Sequence, residues 1–319
     1  VPEPAARVVA VVVTYRPDTA ATTALIDALA PQVAALVVVD NGSPEPVVSE
    51  LRRACAALGG AAELLELGYN RGIGAAQNAG VVRAGELGAD AVLLSDQDSL
   101  PSPDMVAVLL DGLTAARADA AAGRIAPPAA VGPVITDGRN QGAVLLFSDH
   151  RWGPRRAHVS DRHGALVPAT FLLASGCLVP VGALDTVGPM NEAWFIDHVD
   201  LEWGLRARRA GLGLYGVVGA TMSHSLGDRT QRIPGRQRDV HVHAPVRNYY
   251  MARNTVLLIR SGLMPVAWRW GYAAWIAKYA VFYMLAVAPR ALRARLLLRG
   301  LVDGLRGRSG PAPEGRRNR

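Results

Sequence analysis

Four short apolar runs in the first hundred residues each end in a polar cluster, and a helix-length stretch separates each run from the next. Val8–Val13 runs into Thr14-Tyr15, and Leu36–Val39 into Asp40-Asn41-Gly42-Ser43. Glu63–Leu67 leads to Asn70-Arg71-Gly72, and Ala91–Ser95 to Asp96-Gln97-Asp98. Such runs read as buried strands of a parallel sheet. Asp18–Ala30, Pro46–Leu58 and Gly72–Leu87 are the intervening helices. Pro103–Ala118 is a fourth helix, with Ser102 expected as its cap. Ala130–Ile135 is a fifth strand. Strands joined by single helices imply right-handed crossovers and an α/β, Rossmann-like, mostly parallel sheet with flanking helices. Ligands of such sheets bind at the carboxyl ends of the strands, where the four clusters fall, so they predict a nucleotide site.

The remainder is less regular. Residues 142–179 carry Gly, Pro and Arg without clear periodicity. Asp200–Ala210 reads as a helix, Gly213–Val218 as a strand and Thr221–Gly227 as a loop. A basic linker to Arg238 precedes a helix at Arg247–Arg260, an apolar aromatic stretch at Pro265–Pro289 and an Arg-rich segment to Arg308. With 319 residues, half of them hydrophobic, the chain suits one large domain plus an extension. Val8–Val13 is too short for the core of a signal peptide.

Composition narrows the chemistry. The only lysine is Lys278, within the apolar stretch, which excludes a Walker-type phosphate loop. Cys55 and Cys177 stand alone, without the paired spacing of a structural zinc site or a disulfide scaffold. Residues 1–228 hold 16 basic and 24 acidic residues, whereas residues 229–319 hold 18 and 3. A tail both basic and apolar, without a nucleic-acid-binding motif, points to an anionic membrane surface and not to nucleic acid.

Several constellations can carry chemistry. Asp96 and Asp98 offer two hard carboxylates at a strand end, suited to Mg²⁺ or Mn²⁺ with phosphate. The run Asn70–Gly80 looks like a dinucleotide fingerprint, but Gln77 occupies its third glycine position and the run follows the third strand, so NAD binding is a poor reading. Trp194–Trp203 contains Asp197, Asp200 and Glu202 beside bulky apolar residues, where burial raises a carboxylate pKa and improves it as a base. Asp200 also suits a helix cap. His224 follows a strand, where it reads as a structural residue or a metal ligand.

Taken together, Thr14–Pro17, Asp40–Ser43, Asn70–Gly80, Asp96-Gln97-Asp98, Ser175-Gly176, Phe195–Trp203, His224–Gly227 and Arg247-Asn248-Tyr249-Tyr250 through Arg253-Asn254 resemble the bacterial family 2 glycosyltransferases of GT-A fold, in their rhamnosyltransferase-like branch. The resemblance spans residues 7–260. It implies inverting transfer of a sugar, L-rhamnose from dTDP-rhamnose, to a hydroxyl of a lipid-linked or cell-surface polysaccharide acceptor. Galactofuranose or a hexose is the alternative donor sugar, and a nucleotidyltransferase or a non-catalytic sugar-nucleotide-binding protein the alternative class. Thr14, Tyr15 and Asp40 match positions that hold base and ribose. Asp96 and Asp98 match the D-x-D that grips the diphosphate through Mg²⁺ or Mn²⁺, with Asp98 the direct ligand and His224 on the metal or phosphate side. Asn70 and Arg71 join the nucleotide-sugar set. Many relatives carry Glu-Asp where this chain has Asp197-His198, so the general base falls to Asp197, preferred, or to Asp200.

Arg247, Tyr250 and Arg253 are expected to present one helix face to a diphosphate. The expected organisation is a GT-A catalytic domain at 1–240, a helical membrane-associated extension at 241–308 and a disordered tail at 309–319. Gly271–Pro289 approaches the length of a span, but a central Lys278 costs about 2.5–3.5 kcal/mol on insertion. The extension is therefore expected to lie in the plane of the cytoplasmic membrane face, peripherally. Trp268, Trp270, Trp275 and Tyr279 would anchor it, and Arg290, Arg293, Arg295, Arg299, Arg306 and Arg308 would meet headgroups.

Overall fold

The structure, a computed structural model, describes residues 6–137, 143–159, 161–224, 229–231 and 240–312. Its first half follows the expected alternation. Strands β1 (Val8–Thr14), β2 (Ala35–Asp40), β3 (Ala62–Glu66) and β4 (Ala91–Asp96) alternate with helices α1 (Thr19–Leu29), α2 (Glu45–Ala57) and α3 (Ile73–Glu86). They pair in parallel in the order β3-β2-β1-β4. All seven residues of β1 are buried, because both sheet faces are covered. Val9, Val11 and Val13 face one core with Val37, Val39 and Ala76. Val8, Ala10 and Val12 face the other with Leu25, Ile26 and Leu109. Each fully buried valine contributes roughly 1.5 kcal/mol or more.

The second half mixes directions. After β5 (Ser99–Pro101) and α4 (Met105–Ala121) come β6 (Pro128–Asp137), β7 (Ala143–Val144), β8 (Phe147–Ser148), β9 (Arg155–Arg156), β10 (Leu166–Ala169) and β11 (Cys177–Pro180). Helices α5 (Val181–Val187) and α6 (Val199–Arg209) precede β12 (Gly213–His224). The sheet order is β10-β12-β6-β11-β4-β1-β2-β3, with β11 antiparallel to both β4 and β6, while β6 and β12 run parallel. Residues 221–224, expected in a loop, extend β12 and pair with β5 and β6. Ser102 does not cap α4: Asp104 holds the N-cap position, and the Ser102 hydroxyl is buried without a hydrogen-bond partner.

Three helices follow: α7 (Pro245–Arg260), α8 (Val266–Leu285) and α9 (Arg290–Leu305). Helix α9 lies against α7 because Gly300 and Gly304 face the Tyr249 and Arg253 carbonyls, where a Cβ would collide. Leu258, Met264 and Trp268 belong to the same core as the sheet, so the helices share that core across the expected boundary at residue 240. Two expected anchors turn inward: Trp268 is buried and its Nε1 donates to the His150 carbonyl at 2.7 Å, while the Tyr279 hydroxyl accepts from Asn248 at 2.9 Å. Arg293 is likewise buried, donating to Asn248 at 2.6 Å and to the His243 carbonyl at 3.0 Å, so it cannot meet a headgroup. The tail is ordered further than expected. Gly310 and Ala312 are hydrogen bonded to Arg253 and Tyr250, and residues 313–319 of the expected disordered segment lie outside the described residues. No helix among the described residues is long and apolar enough to cross a membrane.

Candidate active site

The strand-end clusters converge on one rim of the sheet. Thr14 and Asp40 end neighbouring strands in register, and the Thr14 hydroxyl donates to Asp40 Oδ1 at 3.3 Å. Asp40 Oδ2 accepts from the Gly42 and Ser43 amides at 3.0 and 2.8 Å, shaping the following turn. Tyr15 is partly exposed, and its amide donates to Gln97 Oε1 at 2.7 Å. Asn70 Oδ1 accepts from Asn41 at 3.3 Å and from the Gly72 amide at 3.0 Å. Arg71 donates its amide to Asn41 and leaves its side chain exposed at the rim. Asp40 and Asn70 thus shape the rim loops, whereas Tyr15 and Arg71 present side chains to solvent.

A group of carboxylates lies beside this rim. Asp96 Oδ2 accepts from the Ser175 hydroxyl at 3.0 Å, and Ser99 and Ser175 hydroxyls lie 3.0 Å apart. Asp98 is exposed in the turn that follows β4. Asp200 stands in the first turn of α6, whose N-cap is His198, so Asp200 is released from the capping role. Burial pushes the Asp200 carboxyl up to about 7; the charge of Asp96 adds to this, and a backbone hydrogen bond from Ala174 opposes it.

The loop entering α6 is held in an uncommon shape. Phe195, Asp197 and His198 have φ of 65°, 68° and 64°, the left-handed region that non-glycine residues rarely occupy. Asn254 of α7 clamps it, donating its amide to the Trp194, Ile196 and Asp197 carbonyls at 3.0, 2.7 and 2.9 Å. Gly72 fits beneath at φ +90°, where a Cβ would collide with Phe195, and the Ile73 amide donates to the Phe195 carbonyl at 2.6 Å. Asp197 is buried in an ion pair with Arg247, both carboxylate oxygens accepting from the guanidinium. His198 Nε2 lies 2.9 Å from the Thr255 hydroxyl, and burial pushes its ring down to about 4, so it is neutral at neutral pH.

A buried base candidate beside a strand-end carboxylate pair, with nucleotide-type loops on the same rim, is the layout of a nucleotide-sugar enzyme. The family model for glycosyl transferase family 2 matches residues 10–171, half of the chain and all four parallel strands. The chain belongs to glycosyl transferase family 2. This glycosyltransferase is 31% identical over 258 residues to the dTDP-rhamnosyl transferase RfbF of Shigella flexneri, covering 81% of each chain. Its fold is that of glycosyltransferases solved with sugar nucleotides. Staphylococcus aureus TarS 1-349 in complex with UDP-GlcNAc superposes with a TM-score of 0.57 at 13% identity, over 94% of this chain and 81% of that one. GalNAc-T7 with UDP, GalNAc and Mn²⁺ gives 0.58 at 12%, over 90% of this chain, which spans 59% of that one. The mannosyltransferase PcManGT of Pyrobaculum calidifontis, with GDP-Man and Mn²⁺, gives 0.50 at 16%, over 96% and 76%.

Within the glycosyltransferase, the expected diphosphate face on α7 is not a binding face. Arg253 is fully buried, donating to Asn254, to the Trp194 carbonyl and to the Gly310 carbonyl at 2.9, 3.0 and 2.5 Å, with its guanidinium over the rings of Tyr249 and Tyr250. Tyr250 is stacked on Phe195 with centroids 5.1 Å apart, and its hydroxyl accepts from the Ala312 amide. Both residues hold the 194–198 loop and the chain end. The i, i+3 spacing groups the three residues, but Tyr250 and Arg253 point inward. Arg247 reaches the site through Asp197.

The residues suited to a divalent cation are Asp96 and Asp98. They fit one: the charge of Asp96 reaches Asp200, and two carboxylates leave room in the shell for phosphate oxygens and water. Among the described residues no group of three or more His, Cys, Asp and Glu is placed to hold a metal by itself. His224 ends β12 opposite Ser99, and its side chain lies outside the described residues. In the sequence Thr255 carries no signal, and Asn254 and Ser175 stand out only within the family pattern. Their work depends on contacts with residues more than fifty positions away.

Proposed function

We propose that this glycosyltransferase moves L-rhamnose from dTDP-rhamnose to a hydroxyl of a lipid-linked or polysaccharide acceptor, inverting the anomeric carbon, with Asp200 as general base. The observation that carries the assignment is the place of Asp200, in the first turn of α6 and near enough to Asp96 to feel its charge, where burial and that charge raise its carboxyl pKa. A base with that affinity for protons suits a hydroxyl nucleophile near neutral pH. Asp197, the preferred candidate from the sequence, is buried in an ion pair with Arg247, so its oxygens are already engaged. The donor is supported by the likeness to the dTDP-rhamnosyl transferase RfbF.

In the reaction, the acceptor oxygen bonds to the anomeric carbon as the bond from that carbon to the β-phosphate oxygen breaks. Asp200 takes the hydroxyl proton, and dTDP leaves. Tyr15, Arg71 and the loop shaped by Thr14 and Asp40 orient the nucleotide. Asp96 and Asp98 would hold Mg²⁺ or Mn²⁺, which neutralises charge on the departing diphosphate. The Asn254 clamp fixes where Asp200 stands. In the cell the enzyme would work at the cytoplasmic membrane face, within reach of a soluble nucleotide-sugar donor and a lipid-linked acceptor.

The test is transfer from dTDP-rhamnose, set against sugar nucleotides carrying galactofuranose and hexoses, with and without chelator. We expect dTDP-rhamnose to be consumed fastest, in a chelator-sensitive reaction. Asp200→Asn is expected to lower turnover by about 10³-fold with donor affinity retained. Turnover that survives in Asp200→Asn but is lost in Asp197→Asn would return the base to Asp197.

A further inference from the structure

Between the catalytic domain and α8 lies a cavity of about 240 Å³ that the donor reading does not use. Its walls are Phe147, Trp152, Phe171, His198, Tyr272 and Trp275, completed by Gly153, Pro154 and Gly271. The glycines make it possible. A Cβ at Gly271 would overlap the Trp152 carbonyl, and one at Gly153 would press on the Tyr272 ring. The His198 ring meets Tyr272 and Trp275 edge-on, at 6.1 and 6.2 Å between centroids. Phe147 and Phe171 stack at 5.2 Å on the opposite side.

Resting on the glycosyltransferase reading above, we propose that this cavity seats the sugar ring of the acceptor. Three observations carry the assignment. His198 lines the cavity and stands two residues before Asp200 in the same held segment, so one wall of the cavity is built by the segment that carries the base. The lining is aromatic and contains no Leu, Ile or Val. Aromatic faces carry negative π charge and attract the polarised C–H groups on the apolar face of a pyranose; a lipid chain gains nothing from that arrangement over an aliphatic wall. The volume falls below the roughly 300–1,000 Å³ of pockets for drug-sized ligands and so suits one ring. His198 stays neutral at neutral pH and adds no charge that would disfavour a neutral sugar.

Trp152 and Trp275 are 50% and 40% exposed, so truncating either leaves the core intact. The experiment is saturation-transfer difference NMR on the full chain with a panel of methyl glycosides of hexoses and 6-deoxyhexoses, with farnesyl phosphate as a separate probe. Calorimetric titration of dTDP with Mn²⁺ runs in parallel on every variant. We expect at least one glycoside to receive saturation on its ring protons. Trp275→Ala and Trp152→Ala should weaken that binding about tenfold while dTDP binds as in the wild type. The proposal is overturned if no glycoside binds, if binding persists unchanged in both variants, or if farnesyl phosphate alone occupies the site in a Trp275-dependent manner. Loss of dTDP binding in the wild type would instead sink the glycosyl-transfer reading, whatever the glycosides do.

Discussion

Asp200 and Asp197 are three residues apart, and their surroundings differ. Asp197 meets a guanidinium, whereas Asp200 meets apolar burial and a second carboxylate. A bound cation at Asp96 and Asp98 would remove the Asp96 contribution and leave that of burial. The Asp200 pKa in the loaded enzyme should therefore fall between its ordinary 3.8 and about 7. Because the base works deprotonated, kcat/KM should be constant at high pH and fall as pH drops through that value. His198 titrates only near 4, so His198→Gln should leave the break in place. A profile flat across the whole interval, or a break that disappears with His198→Gln, would contradict Asp200 as the base.

At the scale of elements, the decisive piece is the short connection between the turn after α5 and the start of α6. Three non-glycine residues with positive φ cost about 1–3 kcal/mol each, so the segment keeps its shape only where its neighbours enforce it. Helix α7 enforces it from one side through Asn254 and Arg253, and the start of α3 from the other through Gly72. Asn254→Ala should let the loop relax. We expect kcat to fall by about tenfold or more, with dTDP affinity nearly unchanged, because misplacing the base harms turnover more than donor binding. Gly72→Ala adds both a strained φ and a collision with Phe195. It should lower the melting temperature clearly, whereas Gly85→Ala, with open space around it, should not. Equal melting temperatures for the two alanine variants would argue against this packing.

Across the whole molecule, the C-terminal helices have two faces. The inner face packs on the sheet core through Leu258 and Trp268 and on the 194–198 loop through Asn254. The outer face of α8 exposes Val266, Trp270, Val281 and Leu285 around Lys278, and α9 exposes Leu298, Val302 and Leu305 among Arg290, Arg295, Arg299 and Arg306. That pattern suits an in-plane helix pair on an anionic bilayer, each basic residue near the surface adding about 1 kcal/mol. Of the four aromatic anchors expected, Trp270 is exposed on the outer face, whereas Trp275 turns towards the cavity beside His198. We expect the protein to sediment with phosphatidylglycerol vesicles but not with phosphatidylcholine vesicles, and high salt to release it. Trp270→Ser with Leu285→Ser should weaken sedimentation about tenfold. Binding that ignores lipid charge, or protein that resists carbonate extraction from cells, would contradict peripheral attachment.

What the sequence determined by itself was local and periodic. Buried parallel strands must be continuous apolar runs, and their polar ends stand out against them, so β1 to β4, Thr14, Asp40 and Asp96 were legible one after another. Tertiary structure decided which side of a residue is covered. Helical spacing places Arg247, Tyr250 and Arg253 near one another on α7, but only packing against Trp194, Phe195 and Gly310 turns the last two inward. The same holds for the base. Asp197 and Asp200 are equivalent carboxylates in sequence. Their surroundings differ because of Arg247, fifty residues away, and of the antiparallel entry of β11 beside β4, which brings the Ser175 hydroxyl to Asp96 and an Ala174 backbone hydrogen bond to Asp200. Periodicity reports a residue's own element, whereas proton affinity depends on every element that folds against it.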